Sequence, residues 1–148
     1  MANKGFELDQ VLNFHKEVEK MRKLDFTVAK QDFEGATEHL LREEDAMNHL
    51  AVEFNDKQRE GIYAVEMQLY ANFSRKKTDD ILAQRQAVIT LERTMAEKRE
   101  TLLAAAKDKK VLEAFKEQKI RAFNHKQAEK ERLFLDEISI QKRGHGKR

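Results

Sequence analysis

Residues 26–54 read FTVAKQDFEGATEHLLREEDAMNHLAVEF, and their spacing decides the fold. Phe26, Phe33, Leu40, Met47 and Phe54 recur every seven residues, and Ala29, Ala36, Glu43 and Leu50 follow by three. Alternating steps of three and four place these side chains on one stripe of an α-helix, as the a and d positions of a coiled coil. Glu43 is the one charged interruption. Gly35 lies inside this register and reads as a mid-helix glycine, at a cost of about 1 kcal/mol. Upstream, Val11, Phe14, Val18 and Met21 form a second a/d run, out of phase with the first. The mismatch predicts a stutter between Met21 and Ala29, which unwinds a supercoil locally without ending the helix.

The second half keeps the same time. Met67, Ser74, Ile81, Val88, Met95 and Leu102 are seven apart, with Tyr70, Lys77, Gln84, Leu91, Lys98 and Ala105 three after them. Leu82, Ile89, Ala96 and Leu103 widen the stripe, a width that would suit pairing with a second copy. Beyond Leu112 and Phe115 the pattern decays, and Lys119 and Lys126 take seam positions. Two turn candidates stand between the halves, Gly61 and the polar stretch from Ser74 to Asp80. The second register runs through residue 74 without a break, so Gly61 is the turn; glycine enters the left-handed region cheaply.

These readings predict an all-α fold: one long antiparallel two-helix coiled-coil hairpin, with a longer C-terminal helix, forming a single domain over 1–148. Helix one spans about 7–57, the tip about 58–63, helix two about 64–142, and a basic tail 143–148. Leu50 then faces Tyr70, Leu40 faces Ile81, Phe26 faces Met95 and Val18 faces Leu102, so apolar meets apolar. Residues 115–142 overhang as a lone helix, marginal in water without a partner. Composition agrees. Ala, Glu, Lys, Leu and Arg make up about half of the chain, charged residues are 38%, and there is no proline to break a helix.

Several functions are excluded by residue type. With no cysteine, there is no disulfide scaffold, thiolate zinc site or thiol catalysis. No apolar run reaches membrane-spanning length, and MANKGFELDQ lacks the apolar core of a signal peptide, so a cytoplasmic protein is expected. A two-helix hairpin has no enclosed pocket for catalysis, and the phosphate-loop, GxSxG and HExxH motifs are missing. His15, His39, His49, His125 and His145 are scattered, without metal spacing. The chain is therefore expected to be no enzyme, with no catalytic residues, metal or cofactor.

What remains is protein binding. Residues 107–132 carry nine Lys and Arg against five acids, a surface for an acidic protein or simply a solvated helix. Nucleic acid is not the expected partner. Near the turn, Tyr63, Tyr70 and Phe73 cluster; Tyr70 fits the seam, whereas Phe73 precedes the seam position Ser74 and is a candidate docking anchor.

Residues 6–12 near the start, Arg99 to Ala106 and Lys109 to Glu117 in the second half, and Leu135 to Ile138 near the end together resemble the FliJ family, the coiled-coil component of the bacterial flagellar type III export apparatus. Phe6-Glu7-Leu8-Asp9-Gln10-Val11-Leu12 resembles the family's F-x-L-x-x-V-L opening. The stretch from Arg99 to Ala106, then Lys109 to Glu117, resembles its R-x-x-L-L-x-A and K-x-LE-x-LKE segment, with Phe115 where leucine is more usual. Leu135-Asp136-Glu137-Ile138 resembles the closing L-D-E-I.

The resemblance implies a stalk like that of the rotary ATP synthase gamma subunit. Such a stalk binds the hexameric export ATPase, promotes ring assembly and activity, links the ring to the export gate protein FlhA, and handles export chaperones. It also implies a position at the cytoplasmic face of the inner membrane, held only through the apparatus. Tyr70 and Phe73 match a Y-x-x-F tip pattern implicated in gate docking, although Lys77 and Asp80 stand where such members carry apolar residues. The overhanging arm, with Lys116, Lys119, Arg121, Lys126, Lys130 and Arg132, is the candidate ring-binding surface. The alternative is a generic or injectisome-type coiled-coil adaptor.

Overall fold

The computed structural model describes residues 2–146, with side chains over 7–144. Two helices account for almost all of it: α1, Ala2–Glu60, and α2, Ala64–Gly146. There is no strand among the described residues, and the fold is the expected all-α helical hairpin. The helices overrun the expected bounds. Lys57 and Arg59 in the last turn of α1 suit the negative end of its dipole, so the helix continues to Glu60. Gly61 then takes φ +101°, the left-handed cap that only glycine adopts without strain. Tyr63 caps the start of α2, its carbonyl accepting from the Met67 amide at 3.0 Å. At the far end α2 carries on through residues 143–146 of the expected tail; no proline stops it, and a terminal glycine costs only about 1 kcal/mol. Lys147 and Arg148 lie outside the described residues.

The chain divides into two compact units. The first joins residues 1–19 to 105–148, and the second spans 20–104.

In the second unit the predicted registers hold except at Met67, the first expected seam position of α2, which is exposed. Ala29 and Ile81 are buried, and the other a and d positions from Phe26 to Phe54 and from Tyr70 to Leu102 are at least half-buried. Leu82, Ile89 and Leu103 stand outside the seam and are exposed. The facing is displaced by about one turn from expectation. Tyr70 meets Phe54 rather than Leu50, with ring centroids 5.3 Å apart. The cause is the tight turn at 61–63, which sets the midpoint nearer residue 62 than 60. His39 and Gln84 touch across the same seam, Nε2 to Nε2, at 3.1 Å.

Charged seam positions meet their complements. The Lys77 ammonium pairs with the Glu43 carboxylate, both mostly covered. That hydrogen bond holds the Glu43 carboxyl below its ordinary range, against the opposing effect of desolvation. Complementary polar pairs at a and d positions fix register, because a slipped alignment leaves each charge against an apolar side chain.

In the first unit the out-of-phase run is not the seam. Leu12 is buried, with 4% of its surface exposed, while Val11, Phe14 and Met21 are exposed. Leu8, His15 and Glu19 continue the seam from Leu12 in steps of three and four and are half-buried, as are Asp9 and Val18 at its edges. Counted in steps of three and four, the seam reaches Arg22 and then Phe26, so a single heptad register serves α1 and no stutter is needed. Polar residues again find partners. Glu19 pairs with Lys109 at 2.7 Å, and Asp9 with Lys116 at 2.6 Å. The bond to Glu19 raises the Lys109 pKa above its ordinary value, desolvation opposing it.

Candidate partner-binding surface

At the tip, Tyr70 and Phe73 do different things. Tyr70 is half-buried in the seam against Phe54. Its hydroxyl donates to the Glu53 carboxylate at 3.1 Å. The Lys57 ammonium lies 5.9 Å from the ring centroid, and Tyr70 holds the Lys57 pKa above its ordinary value by charge and hydrogen bonding. Phe73 instead sits one position off the seam with 53% of its surface exposed. The Lys77 ammonium lies 5.9 Å from its ring, while pairing with Glu43. Tyr70 is thus held by packing, and Phe73 is presented.

Phe73 does not stand alone. Val65 and Leu69 are exposed as well, and the three are spaced four apart on α2. Residues four apart share a helix face, so they form one apolar ridge beside the turn. Tyr63 adds an exposed ring at its start. The four-residue spacing of Val65, Leu69 and Phe73 was visible in the sequence, but attention to aromatic residues passed over the two aliphatic ones.

The arm is built on a length mismatch. Lys116 pairs with Asp9, so the start of α1 lies level with the early 120s of α2. Past that level α2 has no helix beside it, and every residue over 117–137 is exposed. The six candidate basic residues then differ in setting. Lys116 is bound to Asp9 and belongs to the paired stem. Lys119 lies 4.9 Å from the Phe115 ring centroid and borders an open groove with Glu7, Leu8 and Val11. Arg121 bonds Glu117 one turn back at 2.7 Å. Lys126, Lys130 and Arg132 are fully on the solvent side. Ile120, Phe123, Phe134 and Leu135 are exposed among them, which a count of charges alone does not show.

Among the described residues, no group of three or more His, Asp or Glu could hold a metal ion. No described helix is long and apolar enough to cross a membrane. What the surface offers is apolar ridges and an exposed helix of balanced charge. A family profile described as Flagellar FliJ protein matches residues 3–148, nearly the whole chain. The chain belongs to the FliJ family. FliJ proteins are non-enzymatic coiled-coil components of the flagellar export apparatus, and the two-helix fold described above is of that kind. No curated protein and no solved structure matches the chain.

Proposed function

We propose that this FliJ chain is the stalk of the type III export apparatus. It binds the hexameric export ATPase, promotes its ring assembly and turnover, and links the ring to the cytoplasmic domain of the export gate protein FlhA. It also handles export chaperones, and it works at the cytoplasmic face of the inner membrane, held there only through its partners. The observation that carries this reading is the arm of α2, exposed over 117–137 and with no described helix beside it past the early 120s, in a chain of this family. A helix of balanced charge with uncovered apolar side chains gains cover and order when a protein channel closes around it.

In this reading Lys119, Arg121, Lys126, Lys130 and Arg132 meet the ring, and Lys116 acts through its bond to Asp9 by holding the root of the arm. Phe73 is the gate-docking anchor, and Tyr70 positions it by fixing its own turn of α2 against Phe54. The test is ATP turnover and hexamer formation by the export ATPase from the same organism, with the chain added below one per ring. Both rise in this reading. Removing residues 119–148 abolishes the effect and leaves the paired stem helical by circular dichroism. Unchanged stimulation by the truncated chain would rule the arm out.

A further inference from the structure

Two polar side chains meet at the seam of the second unit without satisfying all of their hydrogen bonds. Gln84 is half-buried at a seam position of α2, and His39 stands exposed at the edge of α1 opposite it. Their Nε2 atoms lie 3.1 Å apart. An amide nitrogen only donates, so the imidazole Nε2 must be the acceptor in this contact. That nitrogen then carries no hydrogen, and His39 is neutral with its proton on Nδ1. The other end of the amide is left over. Gln84 Oε1 is buried and no hydrogen-bond partner reaches it. A buried carbonyl without a donor is costly, so the present contact is only half satisfied.

We propose that this pair is a proton-gated switch in the stem: when His39 takes up a proton, the Gln84 amide turns over and its Oε1 accepts from the imidazolium Nε2–H. The reason is a count of donors. An imidazolium carries hydrogen on both ring nitrogens, so it would face the present amide donor to donor. A half-turn about the terminal torsion exchanges the amide oxygen and nitrogen in place, and that torsion is soft and two-fold. Either setting leaves one end of the amide without a partner. The two therefore cost about the same, and the proton decides between them. The surroundings admit the charge. On α1, Glu38 precedes His39, and Arg42 and Glu43 stand one turn on. On α2, Asp80 lies one turn before Gln84 and Arg85 directly after it. Glu43 is paired with Lys77, and Arg85 with Glu44. Acids and bases nearly balance in this set, so an imidazolium meets no net repulsion. His39 is open to water, so its proton comes and goes without unfolding. The contact across the seam survives acidification by reversing its sense.

The experiment follows the Gln84 side-chain amide by proton–nitrogen NMR of the full chain from about pH 8 to about pH 5, across the ordinary titration range of an imidazole. Its signal is the one missing from Gln84→Met. The signal should move in step with the His39 ring, and it should stand still in His39→Phe, whose ring has no nitrogen. A signal that never moves overturns the proposal. So does movement that persists in His39→Phe, which would come from Asp80 or Glu43. Melting temperature gives a second reading. At the alkaline end Gln84→Met removes the unpartnered oxygen, so it should melt no lower than the parent. At the acid end it also removes the acceptor of the imidazolium, so it should melt about 2 °C below the parent. Made in a His39→Phe chain, the same substitution should have one effect at both ends. Methionine suits a seam position and residue 39 is exposed, so both variants should keep the parent's helicity by circular dichroism. A difference between parent and Gln84→Met that is the same at both ends overturns the proposal.

Discussion

The paired stem over 20–104 and the arm of α2 past the early 120s share a composition but not a fate. Both are charged helices with apolar side chains among the charges, although the seam spacing decays in the arm. In the stem the a and d residues from Phe26 to Phe54 and from Tyr70 to Leu102 face the other helix, and even the charged Lys77 and Glu43 are mostly covered. In the arm Phe123, Phe134 and Leu135 meet only water. Pattern alone therefore does not bury a side chain; a second helix at the same level does. An amphipathic helix without one is a surface waiting for cover.

The largest test of that contrast is Ile81→Asp. Ile81 keeps only 6% of its surface exposed, and a carboxylate there has no partner. Urea unfolding should show a loss of about 4 kcal/mol. The next effect has the opposite sign. Gly35 lies within α1, and a Cβ built there meets nothing within 4 Å. Gly35→Ala should stabilise the stem by about 1 kcal/mol, read from the same unfolding curves. Gly61→Ala should destabilise instead, because its φ of +101° strains any side chain.

Smaller again is the effect of pH on the seam pairs. The Glu43 pKa is lowered in the folded chain, so its contribution is complete above the ordinary value of 4.5 and fades as pH falls through the folded value. Lys109 is raised, so its contribution is complete below 10.5 and is lost as pH rises through the folded value. The melting temperature should therefore decline at both extremes, and Glu43→Gln should flatten the acid side alone. Smallest of all is Phe134→Ala on the arm, which should change stability by no more than about 0.5 kcal/mol. A large loss there would show that the arm is covered in solution.

The registers of residues 26–54 and 70–112 were legible because large apolar side chains mark most of their positions, whereas Met67 and Phe115, read into the seam for their size, stand outside it. The start of α1 was not. Val11, Phe14, Val18 and Met21 outrank Leu8, His15 and Glu19 in hydrophobicity, so a search for apolar spacing chose the outer stripe. The true seam there is held by Glu19–Lys109 and Asp9–Lys116, and such pairs are invisible until both strands of the hairpin are aligned. At the tip, Phe73 was legible from its place beside Ser74, while its neighbours Val65 and Leu69 were passed over. The root of the arm shows the same limit, since Lys116 reads as one more surface cation until Asp9 is placed against it.

The three-residue turn at 61–63 also orders the folding of the chain. Tyr70 and Glu53 are 17 positions apart, and Gln84 and His39 are 45 apart. Asp9 and Lys116 stand at nearly opposite ends of the sequence. Closing a short loop costs less entropy than closing a long one. Once Gly61 turns the chain, each pair formed shortens the loop left for the next. Loop entropy alone therefore favours closure from the tip, and pulsed hydrogen exchange should find amides near Gly61 protected before those near Lys116.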